Sequence, residues 1–298
     1  MRARERLAAP RVARSPRSAV LVTSLLREPM FALGAAILFL LICLAVLAPS
    51  IAPYDPAATN ARVGLQSPSR VHLMGTDQLG RDILSRIAYG ARLSMAVAVA
   101  AVGISMVVGT LIGLVTGYLR GLVDDLVMRL LEIQLAFPGL VLALVFAAVL
   151  GPGIRSVIIA VGIAGVPTFA RVTRGAVMSV AAEDYVAAAR SLGCRTGRIM
   201  FRHMLPNVAG PIMILGTLYL AFAVLTAATL SFLGVGVRPP IAEWGAMVNE
   251  GRNVLVTGWW VSLFPSVMIV LFVLAVNLVG DVLRDRLDAT LRSGSAAL

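Results

Sequence analysis

The sequence predicts an all-α membrane protein with six transmembrane helices. Of its 298 residues, 59% are apolar and 14% are charged, whereas a soluble globular domain has about 45–50% apolar and about 25% charged residues. Six apolar runs approach or exceed the roughly 20 residues that a helix needs to cross a bilayer. All 26 basic residues are arginine, and they lie mostly between these runs, as in the loops of a multi-span protein.

The absence of lysine excludes two kinds of chemistry. A phosphate-binding P-loop requires a lysine, and so does Schiff-base catalysis. The net charge of +11 does not predict nucleic-acid binding, because the arginines are not gathered into one soluble basic domain. Cys43 lies in an apolar run and Cys194 in a basic stretch, so we expect neither a disulfide framework nor a paired-cysteine metal site.

The predicted spans begin at residue 30. Pro29 suits the first turn of a helix, and the length of the first run favours an uncleaved span over a secretory signal. The third run contains Arg129 and Glu132 near its start, and the fourth is short and contains Pro167. The six predicted spans are Met30–Pro49, Leu93–Tyr118, Leu126–Leu150, Ser156–Ala170, Val208–Leu233 and Trp260–Gly280.

The arginines also predict an orientation. With both termini in the cytoplasm, the cytoplasmic segments 1–29, 119–129, 171–207 and 281–298 carry 18 arginines and the external segments carry 8. Because cytoplasmic loops are enriched in arginine, this arrangement (N-in, C-in) is favoured over its reverse.

The cytoplasmic loop "AARSLGCRTGRIMFRHMLP" contains two short helical patterns. Acidic residues suit the start of a helix over Glu183–Leu192, and Gly193 suits a left-handed stop after it. A second helix is expected from Thr196, as N-cap, to Pro206. The first helix should present one shallow face, formed by Tyr185, Ala188, Ala189 and Leu192. A solvated basic loop is the alternative interpretation.

The order helix, glycine, helix, Leu-Pro resembles the cytoplasmic signature of ABC-importer permeases. In that signature Glu-Ala-Ala precedes a glycine by three residues, and Ile-x-Leu-Pro follows nine residues after the glycine. Ala187 replaces the glutamate here, and His203 replaces the isoleucine. The residues that match are Ala188, Ala189, Gly193, Leu205 and Pro206.

Three further blocks are similar to the dipeptide/oligopeptide importer family. "GTDQLGRDILSRIAYGARLSM" (75–95) looks like the start of its permease core, "LGVGVRPPIAEWGAMVNEGR" (233–252) like its last external loop, and "NLVGDVLRDRLDATLR" (277–292) like its C-terminal end. The blocks follow the family's order. The resemblance implies an arginine-rich arm at 1–29, a first transmembrane helix and external segment at 30–74, a permease core at 75–292 with a coupling loop at 171–207, and a tail at 293–298.

The resemblance also implies a function and partners. The protein would be the permease subunit of a type I ABC importer in a bacterial inner membrane, with no cofactor and no enzymatic activity of its own. It would pair with a second homologous permease, two ATPase subunits that bind ATP and Mg, and an extracytoplasmic substrate-binding protein. Relatives carry dipeptides, longer peptides, nickel chelates or glutathione.

By the same resemblance, the cytoplasmic loop forms a coupling helix that docks on the ATPase. The implied contact residues are Tyr185, Ala188, Ala189, Arg190, Leu192, Gly193, Arg195, Arg198, Arg202, Leu205 and Pro206. A self-sufficient secondary transporter and a membrane-embedded enzyme are the rival interpretations. The second would need a catalytic cluster at membrane depth, and the sequence shows none.

Other polar and small residues within the spans invite two interpretations each. Gly109, Gly113 and Gly117 form a small-xxx-small stripe for close helix packing, against either this chain or a partner. Polar residues at membrane depth line water-filled paths or bond neighbouring helices, and those considered are Glu132, Gln134 and Asn277.

Two external groups are open to more than one interpretation. His72, Asp77 and Asp82 match no metal motif, so capping and loop roles are expected. The external segment 239–258 contains Glu243, Trp244, Asn249 and Glu250. It is predicted to meet a soluble binding protein, or to anchor Trp244 at the membrane interface.

Overall fold

The computed structural model describes residues 28–295, with side chains as far as residue 286. Within this range every regular element is a helix, apart from one isolated β-bridge between Thr76 and Asp82. The helices are α1 (Pro29–Val46), α2 (Ala48–Ile51), α3 (Ile83–Leu119), α4 (Leu122–Leu135), α5 (Gly139–Leu150), α6 (Ile154–Val180), α7 (Asp184–Ser191), α8 (Thr196–Phe232), α9 (Trp244–Gly251) and α10 (Trp260–Ser295).

Five of these helices, α1, α3, α6, α8 and α10, are long and apolar enough to cross a membrane. The pair α4 and α5 passes the same test together, although the two helices are bent by 91° at the break between them. If this pair is one broken span, the count is the six predicted from the sequence. Arg286, near the end of α10, donates a hydrogen bond to Glu28 at the start of α1 (2.6 Å). Both ends of the bundle therefore lie on the same side, as an even number of spans requires.

The third predicted span is wrong as a continuous helix. α4 ends where the N–H groups of Ala136 and Phe137 bond back to carbonyls of its last turn, and α5 begins after Pro138. Proline lacks an N–H and pushes the residue before it out of helical geometry. From residue 135 to 150 the run carries no charged or amide side chain, so its apolar length did not reveal the bend.

The second and fourth spans are longer than predicted. α3 begins ten residues before Leu93, because Asp82 caps it by accepting from the N–H of Ser85 (2.8 Å). α6 has 27 residues and passes through Pro167. Its second half was hidden in the sequence by Arg171 and Arg174, which end the apolar run before the helix ends.

The glycine stripe of α3 packs on α6 of the same chain. A Cβ on Gly109 would lie 2.5 Å from the Cβ of Phe169, and one on Gly113 would lie 2.4 Å from the carbonyl oxygen of Ala170. A Cβ on Gly117 would meet the next turn of α6. The three glycines therefore let two backbones approach more closely than any other residue permits, and the partner is internal.

Trp244 is not the anchor at the membrane interface that the sequence left open, whereas contact of the segment 239–258 with a binding protein stays a prediction. Trp244 is fully buried, and its indole N–H donates to the carbonyl of Ile87 (3.2 Å). Glu243 is 3% exposed and caps α9 by accepting from the N–H groups of Gly245 and Ala246. Burial raises the pKa of the Glu243 carboxyl, and these backbone hydrogen bonds oppose the shift.

The other acidic residue of that segment joins a buried ion network. Glu250 accepts from Arg81 (2.7 Å) and from Arg86 (2.9 Å), and Asp77 accepts from the Nε of Arg81 (2.6 Å). Arg86 is fully buried. Burial raises the pKa of Glu250, whereas the two guanidinium groups act in the opposite direction. Half-buried Asn249 lies beside this network on α9.

The capping and loop roles expected for His72, Asp77 and Asp82 are confirmed. His72 bonds to the carboxylate of Asp82 (2.9 Å), which also caps α3. Asp77 accepts from the N–H groups of Leu79 and Arg81 and so closes a tight loop. These contacts fasten the segment that precedes α3 to the start of that helix.

Candidate functional site

Helix α7, the turn that follows it and the first residues of α8 form a segment that we call the basic knob (residues 183–206). Glu183 lies at the N-cap of α7, and Arg190 lies in its last turn. The helix ends at Ser191, and Gly193 in the turn after it has a φ of +73°. The N–H of Gly193 bonds to the carbonyl of Arg190, and the N–H of Cys194 bonds to that of Ala189. This is the Schellman pattern, which needs a left-handed residue where the glycine stands.

The second half of the knob differs from the prediction. Thr196 is the first helical residue and not the N-cap, since Arg195 occupies that position and no side chain caps it. The helix also does not stop at Pro206. Residues Ile199–Met204 adopt π geometry, with the N–H of Leu205 bonded to the carbonyl of Met200. Pro206 then falls in the first turn of the following α-helical segment, a position that needs no N–H.

The two sides of α7 have different surroundings. Val186 is fully buried and Ala189 is 8% exposed, so both pack against the rest of the chain. Tyr185 is 41% exposed, Leu192 is 83% exposed, and Ala188 is exposed between them. Ala189 therefore does not belong to the outer face on which the sequence placed it. The outer face consists of Tyr185, Ala188 and Leu192.

Two contacts fasten the knob to the spans. The Arg190 guanidinium lies over the ring of Tyr118, 5.5 Å from its centre, at the end of α3. On the other side, Asn207 of α8 donates its side-chain amide to the Tyr185 hydroxyl (2.9 Å) and to the carbonyl of His203 (2.6 Å). α7 is thereby joined to the ends of both α3 and α8.

Beyond these contacts the knob is basic and open. Arg195, Arg198 and Arg202 are exposed, Leu205 is half-buried and Pro206 is exposed. Next to the Gly193 turn lies an open hollow of roughly 530 Å³. It is lined by Leu192, Gly193, Cys194, Arg195, Gly197 and Arg198.

The three candidate path residues have different surroundings and do not form one cluster. Gln134 donates to the backbone carbonyl of Ile163 on α6 (2.9 Å), so it bonds two helices as the alternative interpretation expects. Glu132 is exposed on α4. Asn277 is half-buried on α10, which packs mainly on α1, α8 and α9, whereas α4 packs on α3 and α6.

One ion pair escaped the sequence analysis. Arg174 of α6 bonds both carboxylate oxygens of Asp124 in the first turn of α4, at 2.6 Å each. Such a two-bond geometry is the strong form of this contact. The fifty residues between the partners, and the arginine's position in an apparently interrupted span, left no local signal of the pairing.

Residues 109–293 match the family model of binding-protein-dependent transport system inner membrane components. The chain belongs to this family. Residues 20–68 match a second model, the N-terminal TM domain of oligopeptide transport permease C. The protein is accordingly a multi-pass permease of the bacterial inner membrane, with the type I ABC importer permease fold.

Several members of the family are similar over most of their length. The di/tripeptide transport system permease protein DppC of Pseudomonas aeruginosa is 44% identical, with 89% of each chain covered. A putative peptide transport system permease of Brucella suis is 41% identical, with 95% of each covered. The glutathione transport system permease GsiD of Pectobacterium atrosepticum is 41% identical, covering 90% of this chain and 89% of the relative.

Proposed function

We propose that this permease is half of the translocation path of an ATP-driven importer for peptides or related small solutes. It couples to a separate ATPase through residues 183–206. The observation that carries the proposal is the basic knob, because an exposed apolar face and exposed arginines project from a helix that is fastened to two spans. A partner that displaced α7 would move the ends of α3 and α8 with it.

The power for transport comes from partners. The chain has no lysine, so it cannot form the P-loop that holds nucleotide phosphates. ATP and Mg belong on two ATPase subunits. Nucleotide changes the spans only through a difference in its affinity for the two states of the assembly. A second homologous permease completes the path, and an extracytoplasmic binding protein delivers the solute.

The arrangement in the membrane follows from the charges. With the knob and both termini in the cytoplasm, the arginine bias of 18 to 8 satisfies the positive-inside rule. The permease core then comprises residues 75–292, preceded by the first span and the arginine-rich arm at 1–29, most of which lies outside the described residues. The names of the relatives favour peptides or glutathione over nickel chelates as the solute.

The decisive test places a charge on the outer face of α7. Ala188→Glu should leave the protein in the membrane but release the ATPase or uncouple ATP use from uptake. The measurement is ATPase retention in a detergent pull-down beside peptide uptake in cells. Ala187→Glu is the matched control, since it makes the same exposed change on the same helix and restores the glutamate of the family signature.

Truncation after Asp288 tests the competing position, the arginine-containing end of α10. The proposal requires that the truncated protein keeps its ATPase. If Ala188→Glu retains both the ATPase and uptake while the truncation loses the ATPase, the coupling site lies on the C-terminal segment and not on the knob.

A further inference from the structure

Helix α4 has three sides with different chemistry. One side packs on α3 and α6 through Asp124, Met128 and Leu131, all 8% exposed or less. The back is apolar and 59–87% exposed. It consists of Leu122, Leu126, Leu130 and Ile133. Between these two lies a charged flank, defined as Asp125, Arg129 and Glu132, all exposed. At 100° per residue the three flank positions fall within about 60° of one another around the helix axis.

Two hydrogen bonds fix the depth of the charged flank. Asp124 is bonded to Arg174, and Gln134 is bonded to the carbonyl of Ile163. Between these two contacts the chain advances ten residues along α4 and goes back eleven residues along α6. The two helices therefore run antiparallel. Ile163 is nine residues, about 14 Å, from the external end of α6. Glu132 lies about 3 Å further in along the helix, which is close to the middle of a hydrocarbon core about 30 Å thick.

Charges at this depth do not face lipid. An ionised side chain in the hydrocarbon core carries a large desolvation cost, so such residues face a bundle interior or a water-filled cavity. The apolar back of α4 suits a lipid or protein neighbour, and the charged flank does not. The guanidinium of Arg174 bonds Asp124, which directly precedes Asp125 at the start of the flank.

We propose that the charged flank lines the aqueous passage and binds a zwitterionic solute, with Glu132 contacting an ammonium group and Arg129 a carboxylate. The proposal rests on the transport function above and names the class of solute. The two residues are about 4.5 Å apart along the helix axis. An extended di- or tripeptide separates its terminal charges by roughly 7–10 Å, within the combined reach of a glutamate and an arginine side chain.

The test uses cysteine accessibility in the assembled transporter. In a Cys43→Ala, Cys194→Ala parent, single cysteines replace Asp125, Arg129 and Glu132 on the flank, and Leu126, Leu130 and Ile133 on the back as matched controls. Open membrane fragments are treated with a trimethylammonium methanethiosulfonate. Because the thiolate is the reacting form and requires water, the flank cysteines should react at least about tenfold faster than the back cysteines.

A second arm tests the zwitterion. Trialanine should slow the modification of Asp125→Cys, in which Arg129 and Glu132 are intact, by at least about twofold at concentrations above its dissociation constant. Trialanine with both ends blocked, as N-acetyl amide, should not. If the flank cysteines react no faster than the back cysteines, or if both compounds protect equally or not at all, the proposal is overturned.

Uptake is scored separately. ATP-driven trialanine uptake by the cysteine-free parent tests the transport function and does not depend on labelling. Its absence together with selective labelling and protection would overturn peptide import while supporting solute binding on the flank.

Discussion

Arginines that look equivalent in the sequence of the basic knob have different surroundings. The Arg190 guanidinium lies over the Tyr118 ring, and a cation–π contact at such a site contributes about 0.5–1 kcal/mol. Arg195, Arg198 and Arg202 are exposed on the knob and can meet carboxylates of a partner. Arg190 is therefore a positioning residue that holds α7 against the end of α3.

We expect Arg190→Gln to reduce the solute taken up per ATP hydrolysed while the ATPase remains bound, because α7 would move without pulling α3. Tyr118→Leu should have the same effect, and Tyr118→Phe, which keeps the ring, should have little. Arg195→Gln is the control and should weaken ATPase retention instead. Release of the ATPase by Arg190→Gln, with normal coupling in the complexes that remain, would show that Arg190 contacts the partner.

Gly193 provides the backbone conformation that the knob requires. Its φ of +73° costs a β-branched residue about 1–2 kcal/mol or more, and nothing lies within 4 Å of its missing Cβ. Gly193→Val should therefore impair uptake through strain and not through a clash, while insertion into the membrane stays normal. Gly193→Asn and Gly197→Val should transport nearly normally. Wild-type uptake by Gly193→Val would mean that the turn does not matter.

The residues that could be predicted from the sequence are those with local contacts. Gly193 and the caps formed by Asp82 depend on neighbours a few positions away, so their roles follow from spacing. The burial of Trp244 depends on Ile87, 157 residues earlier, and no local pattern reports it. Arg174 was misleading. A charged side chain appeared too costly to bury within a span, but the ion pair with Asp124 lowers that cost and the helix continues past it.

At the scale of whole elements, α3 and α6 share the most extensive helix–helix contact in the described part of the chain. A Cβ on Gly113 would meet backbone atoms of α6 at 2.4 Å, whereas a Cβ on Gly103 of the same helix would meet nothing within 4 Å. Gly-to-Ala substitution in an open helix position stabilises by up to about 1 kcal/mol, and overpacking costs about 1–3 kcal/mol. Substitution by alanine should therefore lower the stability of the protein at Gly113 and raise it at Gly103.

We expect Gly113→Ala to lower the thermal unfolding midpoint of the detergent-solubilised protein and Gly103→Ala to raise it slightly. Circular dichroism of the two variants beside the wild type measures both shifts. Equal shifts for the two variants would mean that the helices separate easily at Gly113 and that the close approach is not stabilising.

Element boundaries were predicted less well than element number. Apolar length reports that a segment crosses the membrane, but it does not report a bend, and the break before Pro138 lies inside the apolar stretch 135–150. Pro206 shows the opposite error, because a proline that usually ends a helix is accommodated by the π turn at Ile199–Met204. In both cases hydrogen bonding around a proline decides the geometry, and residue type alone does not reveal it.

At the scale of the whole molecule, one helix connects the two ends. α3 has 37 residues, a length of about 55 Å. Its first turns carry Arg86, buried in the network with Glu250, and its last turn carries Tyr118, which contacts the basic knob. Because α6 is packed along α3, the two helices form one stiff unit between the buried ion network and the knob.

Under the proposed function, this arrangement transmits motion that the ATPase partners generate. The whole sequence contains no lysine and therefore no P-loop. We expect the purified single chain to hydrolyse no ATP above the level of a mock preparation from cells that lack it. Adding the cognate ATPase subunits should produce hydrolysis that Ala188→Glu reduces. Robust hydrolysis by the chain alone, insensitive to Ala188→Glu, would contradict the division of labour on which the proposed function depends.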